Sequence, residues 1–243
     1  MTTAEKALRL KQDLDEVFDA GYEKGKSEGG GDGFYDTFWD ETQANGTRTN
    51  YQYAFHGKGW TDNNFKPKYP IVPTGSGGSY MFKESGLKKP DLSKVDFSKG
   101  GGIIQTFMNS SVEELGVLDF SSVAAGYNGI NQTFLYCSSL RKIEKIILPN
   151  ARIKIDGFGE CKRLEEIRFN GTIYQHPNFQ QSPLSVDSMK NIISCLNNYT
   201  GTSEEFSNKL IFSDECWAAL EADSTAPTGT TWAEYVSSLG WDT

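Results

Sequence analysis

Few residues in this 243-residue chain could carry chemistry, and their spacing does not assemble them. There are only two histidines, His56 and His176, and neither has the neighbours expected of a nucleophile and its general base. No Gly-x-Ser-x-Gly elbow and no His-Glu-x-x-His helix occurs. The four cysteines, Cys137, Cys161, Cys195 and Cys216, stand far apart with no Cys-x-x-Cys, which leaves zinc and thioredoxin-like readings unsupported. Buried free thiols are expected instead, although Cys137 and Cys161 could approach one another. The carboxylates Asp32 and Asp36, and the pair Glu165-Glu166, lack the Asp-x-Asp-x-Asp-Gly form of a calcium loop and read as solvated side chains. A glycosidase needs two separated carboxylates that no local motif reveals, so a glycan-cleaving enzyme stays only as a third reading. No catalytic residue, metal ligand or cofactor is assigned, and a non-enzymatic protein is expected.

The elements that carry these residues are better defined. Phe134-x-x-Cys137-x-x-Leu140-x-x-Ile143 recurs as Phe158-x-x-Cys161-x-x-Leu164-x-x-Ile167, displaced by 24 residues. Weaker copies begin at Phe82 and Phe107 with Ser85 and Ser110 in the cysteine slot, and a truncated one begins at Phe179 with Ser182. The Phe positions step by 25, 27, 24 and 21 residues. Units of that length cannot enclose their own apolar side chains and must stack, with Phe82, Phe107, Phe134, Cys137, Leu140, Phe158, Cys161 and Leu164 forming the repeat core. A small residue in the Ser/Cys slot suits a tight interior turn, where it can meet backbone polar groups of the next coil. Short strands are predicted after each copy: Val95–Phe97, Val117–Phe120, Ile146–Leu148 and Ile167–Phe169.

The Phe-x-x-Cys-x-x-Leu-x-x-Ile frame, followed by an apolar strand and Pro149, resembles the BspA-type leucine-rich repeats of bacterial surface proteins. The resemblance implies an α+β repeat fold: a short leucine-rich-repeat solenoid (BspA-like) with an N-terminal helix, an aromatic-rich N-terminal cap and a helical C-terminal cap. The domains expected are a helix over 1–28, a Gly-rich hinge over 29–33, an aromatic-rich capping segment over 34–78, the solenoid over 79–184 and the helical cap over 185–243.

Thr2-x-x-Glu5 reads as a capping box for an expected first helix, in which Ala7, Leu10, Leu14, Val17 and Gly21 follow the heptad rhythm. These residues either pack on their own domain or join identical chains, a trimer being the oligomer expected. Gly29-Gly30-Gly31-Asp32-Gly33 then reads as a hinge. The segment from Phe34 to Tyr69 holds ten aromatic residues, enough to cover the first coil of a stack. Tyr53 and Trp60 are the two nominated to stay exposed and stack on a sugar or a partner. Ser185, Ser213 and Thr231 are predicted to cap three C-terminal helices, the first stopping near Gly201, with a last strand over Lys209–Phe212.

A net charge of −8 disfavours nucleic acid and anionic membrane surfaces as partners. No signal sequence or membrane span is expected from the N-terminal residues. The aromatic segment, from Phe38-Trp39-Asp40 to Phe65-Lys66-Pro67-Lys68-Tyr69, is similar to a connector in prophage proteins of gut Firmicutes, and the tail from Leu184 to Gly240-Trp241 is similar to theirs. That resemblance implies a phage or prophage virion appendage, tail- or capsid-associated, held to other virion proteins by its N-terminal helix and able to meet a host cell-surface protein or glycan. A bacterial cell-surface or secreted BspA-like adhesin is the alternative.

Overall fold

The computed structural model describes residues 50–100, 102–123, 130–151, 155, 157–200, 208–223, 226–227 and 229–243. The expected helix over 1–28, with Ala7, Leu10, Leu14, Val17 and Gly21, the hinge over 29–33 and Asp32 and Asp36 lie outside them. The described residues all belong to one compact unit, Asn45–Thr243.

Within it the phenylalanines of successive segments stack face to face. Ring centroids are 5.1 Å apart for Phe55–Phe82, 5.1 Å for Phe82–Phe107, 5.7 Å for Phe107–Phe134, 5.2 Å for Phe134–Phe158 and 4.8 Å for Phe158–Phe179. All six rings are buried. In the tiers headed by Phe55, Phe82, Phe107 and Phe134 the ring closes a tight turn whose amides donate to the turn of the next tier. The amides of Tyr80, Phe82 and Glu84 donate to the carbonyls of Ile104, Thr106 and Met108. Those of Gln105, Phe107 and Asn109 donate in the same way to Asn131, Thr133 and Leu135.

This one-directional ladder depends on left-handed residues two before and two after the phenylalanine. Tyr80 and Glu84 have φ 59°, Gln105 has 52°, Asn109 has 55°, Gln132 has 54° and Tyr136 has 62°. Alternating the backbone's hand turns successive alternate amides to the same side, so the polar main chain of a buried turn is satisfied between tiers. Phe55 heads a tier of this kind, with Tyr53 at φ 55° and Gly57 at φ 92°. The boundary expected at 78/79 therefore cuts the stack: part of the segment assigned to the cap is a tier itself.

On another side three parallel strands, β1 (Glu114–Asp119), β2 (Lys142–Ile147) and β3 (Glu166–Asn170), pair in chain order. Leu115 lies opposite Ile143 and Ile143 opposite Ile167, while Leu118, Ile146 and Phe169 align in the same way. All six side chains are buried beside the phenylalanine column. The strand predicted over Val95–Phe97 is instead a single bridge, Val95 to Ile71, followed by a 3-10 turn over Phe97–Lys99. The Asp96 side chain accepts from the Ser98 amide at 2.9 Å and turns the chain out of extended form. Lys209–Phe212 likewise holds only isolated bridges, from Ile211 to Asn178 and from Lys209 to Asp242.

Helices follow the sheet. Helix α1 (Val186–Ser194) starts at its Ser185 cap and stops at Cys195, short of Gly201. Its polar residues seal the edge of β3: Ser188 Oγ accepts from the Ile167 amide at 3.1 Å, and Asn191 Oδ1 from the Phe169 amide at 2.6 Å. A fourth strand would have used those amides, so the helix ends the sheet without leaving an exposed edge. Helix α2 (Asp214–Asp223) buries Cys216 and Leu220. Helix α3 (Trp232–Ser238) carries the full Thr231/Glu234 capping box.

Gly86 marks the tightest approach between tiers. A Cβ there would lie 2.5 Å from the Lys58 carbonyl oxygen and 2.8 Å from that of Trp60. Both obstacles are backbone, which cannot rotate away. Gly86→Ala is expected to destabilise by about 1–3 kcal/mol through overpacking, seen as a lower urea midpoint.

Candidate functional site

The residue nominated as an exposed aromatic at position 60 is not exposed. Trp60 is 6% accessible and packs edge-on against Phe55, with centroids 5.1 Å apart. Its amide donates to the Gly57 carbonyl, so the chain folds back and lays the indole over the Phe55 ring. Tyr53 is 42% exposed and lies flat on Tyr80, with centroids 4.7 Å apart and planes 6° apart. Phe82, Phe107, Phe134, Cys137, Leu140, Phe158, Cys161 and Leu164 are all buried.

The four cysteines are free thiols. Cys137 Sγ donates to the Phe107 carbonyl at 2.9 Å and Cys161 Sγ to the Phe134 carbonyl at 3.1 Å. Ser182 Oγ donates to the Cys161 carbonyl at 3.2 Å. Each small side chain thus reaches back one tier to an interior carbonyl. Burial pushes the Cys137 thiol up to about 11 and Cys161 well above the usual thiol range, so neither is a nucleophile at neutral pH.

The histidine and carboxylate candidates are dispersed. His56 Nε2 is 3.4 Å from Glu84 Oε2 in an exposed pair. Glu166 pairs with Lys142 at 2.6 Å. Among the described residues no group of three or more His, Cys, Asp or Glu is placed to hold a metal ion. No helix among them is long and apolar enough to cross a membrane.

What the tiers do assemble is two surfaces. Where the strands begin, charge alternates from tier to tier: Lys88-Lys89, Glu113-Glu114, Arg141-Lys142, Glu165-Glu166. Lys89 meets Glu114 at 2.8 Å, and Arg141 meets it from the other side at 3.1 Å. Lys89 holds the Glu114 carboxyl below its ordinary range, and Glu166 holds Lys142 above its own. A slip of one tier would set like charges together, so this ladder specifies register more than it adds stability.

The second surface runs along the turns. Gln105 Nε2 donates to Gln132 Oε1 at 2.7 Å, continuing the row begun by Tyr53 and Tyr80. Beside it lies an open groove of about 430 Å³ lined by Lys83, Glu84, Met108, Asn109, Tyr136, Ser138, Glu160 and Lys162. Tyr136 is 49% exposed. Lys162, 2.6 Å from Glu160, and then Gln181 hold the Glu160 carboxyl below the usual range. None of these groove residues stands out in the sequence until the tiers are aligned. Tyr136 then appears two residues after its phenylalanine, level with Gly57, Glu84, Asn109 and Glu160.

Comparison of the chain with protein-family models, with curated proteins and with solved structures finds no match.

Proposed function

We propose that this chain is a non-enzymatic display module: a short BspA-like leucine-rich-repeat solenoid, serving as a phage or prophage virion appendage. The observation that carries the display reading is the continuous phenylalanine column, with its turns bonded tier to tier, because a stack of that kind grows in one direction and offers long side faces for contact. The chemistry-bearing side chains support it as well, since the thiols are spent on interior carbonyls and the charges on one another. The virion setting rests on the resemblance of the aromatic segment and the C-terminal tail to prophage proteins.

In this reading the N-terminal helix joins three copies and holds them to other virion proteins, while the tiers face a host cell-surface protein or glycan. Light scattering on the full-length chain is expected to give a trimer, and mass spectrometry of purified particles is expected to find it among the structural proteins. A monomer recovered from the walls of uninfected bacteria, and missing from particles, would replace this reading with the cell-surface adhesin.

A further inference from the structure

We propose that the turn-face groove binds a neutral oligosaccharide, with the Tyr136 ring as the stacking platform. This deepens the display reading by naming a site and a ligand class for the displayed face.

The first observation is a bulky ring, left half exposed, at a position where the ladder demands a costly conformation. Tyr136 sits at φ 62°, a region that a bulky aromatic residue rarely adopts. The equivalent positions of four other tiers hold Gly57, Glu84, Asn109 and Glu160, of which glycine and asparagine tolerate this conformation best. Tyr53 and Tyr80, also left-handed, stack on each other. Tyr136 has no such compensation: its ring is half exposed and makes no ring stacking or side-chain hydrogen bond with the described residues. The ladder accounts for the backbone conformation, since the Tyr136 amide donates to the Gly159 carbonyl at 2.9 Å. It does not account for a large ring left half exposed in a groove, and that ring points to function outside the fold.

The lining selects the ligand class. Lys83 and Lys162 balance Glu84 and Glu160, so the groove favours neither a polyanion nor a polycation. Asn109, Ser138 and the two carboxylates offer short hydrogen-bonding groups around one aromatic face, the combination that suits a sugar ring with its apolar face and equatorial hydroxyls. A peptide fits less well. The amides of Glu84, Asn109 and Tyr136 already donate to the next tier, which disfavours strand addition. The open groove surrounds Met108 and Tyr136 with charged and polar groups rather than with an apolar wall for an anchoring side chain. The lining steps from tier to tier at about the ring spacing of the phenylalanine column, which matches a chain of linked units better than a single compact molecule.

The test uses the full-length protein on a printed array holding neutral gluco-, manno-, galacto- and N-acetylhexosamine oligosaccharides beside sulfated and uronic-acid glycans. Bound neutral compounds are then titrated by calorimetry. Tyr136→Gly is the decisive variant, because glycine suits φ 62° and the fold is kept or strengthened while the ring is lost. Its affinity is expected to fall roughly tenfold or more, with a Tm equal to or above the parent. Tyr136→Phe is expected to bind nearly as the parent does, and Tyr69→Ala, which changes an exposed ring outside the groove, to bind unchanged. The proposal is overturned if no neutral oligosaccharide binds, if only acidic glycans or a peptide bind, or if Tyr136→Gly binds as tightly as the parent. The readout is glycan binding rather than particle content or oligomeric state, so its failure would leave the virion assignment standing, and failure of that assignment would leave the groove's ligand untouched.

Discussion

Phe134→Ala is expected to lower the stability of the tiered unit by about 3–5 kcal/mol. The ring is fully buried and is sandwiched between Phe107 at 5.7 Å and Phe158 at 5.2 Å. Truncation removes buried area, leaves a cavity in a column that cannot shorten, and deletes two stacked pairs worth about 0.5–1.5 kcal/mol each beyond their burial. The column cannot close over the gap because the tier spacing is fixed on both sides. The backbone ladder of the turns sets one spacing and the strand pairing of β2 with β1 and β3 sets the other. Loss of Phe134 also interrupts the side-chain column by which the tiers before it support those after it. Urea unfolding followed by tryptophan fluorescence is therefore expected to show a lower midpoint with a shallower slope, as cooperativity between the two halves weakens. A midpoint within error of the parent would mean the rings are spectators and the ladders alone hold the stack.

The second large effect appears at alkaline pH. Burial moves the Cys137 thiol from its ordinary 9.0 to about 11, against the opposing pull of its hydrogen bonds with Ser110. In the unfolded chain the thiol ionises near 9.0, whereas in the folded chain it holds its proton to about 11. A folded-state value raised above the unfolded one gives stability that is complete below pH 9 and is lost as pH climbs from about 9 to about 11. The loss from this one group approaches about 3 kcal/mol at the upper end. Ionisation would also remove the proton that Cys137 donates to the Phe107 carbonyl at 2.9 Å. Cys161 moves in the same direction, also through burial, and steepens the fall.

Cys137→Ser separates this term from the titration of lysines and tyrosines, because serine already fills the slot in the tiers headed by Phe82, Phe107 and Phe179. With urea melts in reductant at pH 8 and pH 11, the parent is expected to lose more stability than the variant. Equal losses would show that the thiol does not feel its burial. Iodoacetamide at pH 8 should label Cys137 and Cys161 only after denaturant is added.

The frame of the stack was legible because burial imposes a strict demand on a few positions. Phe82, Phe107, Phe134, Phe158 and Phe179 recur at near-constant spacing since every tier must supply one ring to the column. The serine and cysteine slots were legible for a related reason. A small donor meets a carbonyl of the preceding tier at Cys137, Cys161 and Ser182, while Ser110 Oγ faces Cys137 Sγ and Ser85 Oγ is buried with no partner among the described residues. Caps are local chemistry, and Ser185 and Thr231 start their helices where their side chains meet free amides.

The first tier escaped notice because Phe55 is followed at the slot position by Lys58 rather than by serine or cysteine. Trp60 looked free for a ligand because no linear pattern records that the chain doubles back at Gly57. The strand predicted after Asp96 became a 3-10 turn through one side-chain acceptor, a preference too weak to outweigh an apolar run until the coil fixes its ends.

By itself, then, the order of residues determined which side chains must be inside, how far apart the tiers fall and where the terminal helices begin, since these follow from periodic burial and from contacts a few residues long. The outward face was decided only when the tiers came together. Tyr136, Asn109, Glu84 and Glu160 lie in four different tiers and become neighbours through inter-tier hydrogen bonds, so no stretch of sequence contains the groove they form.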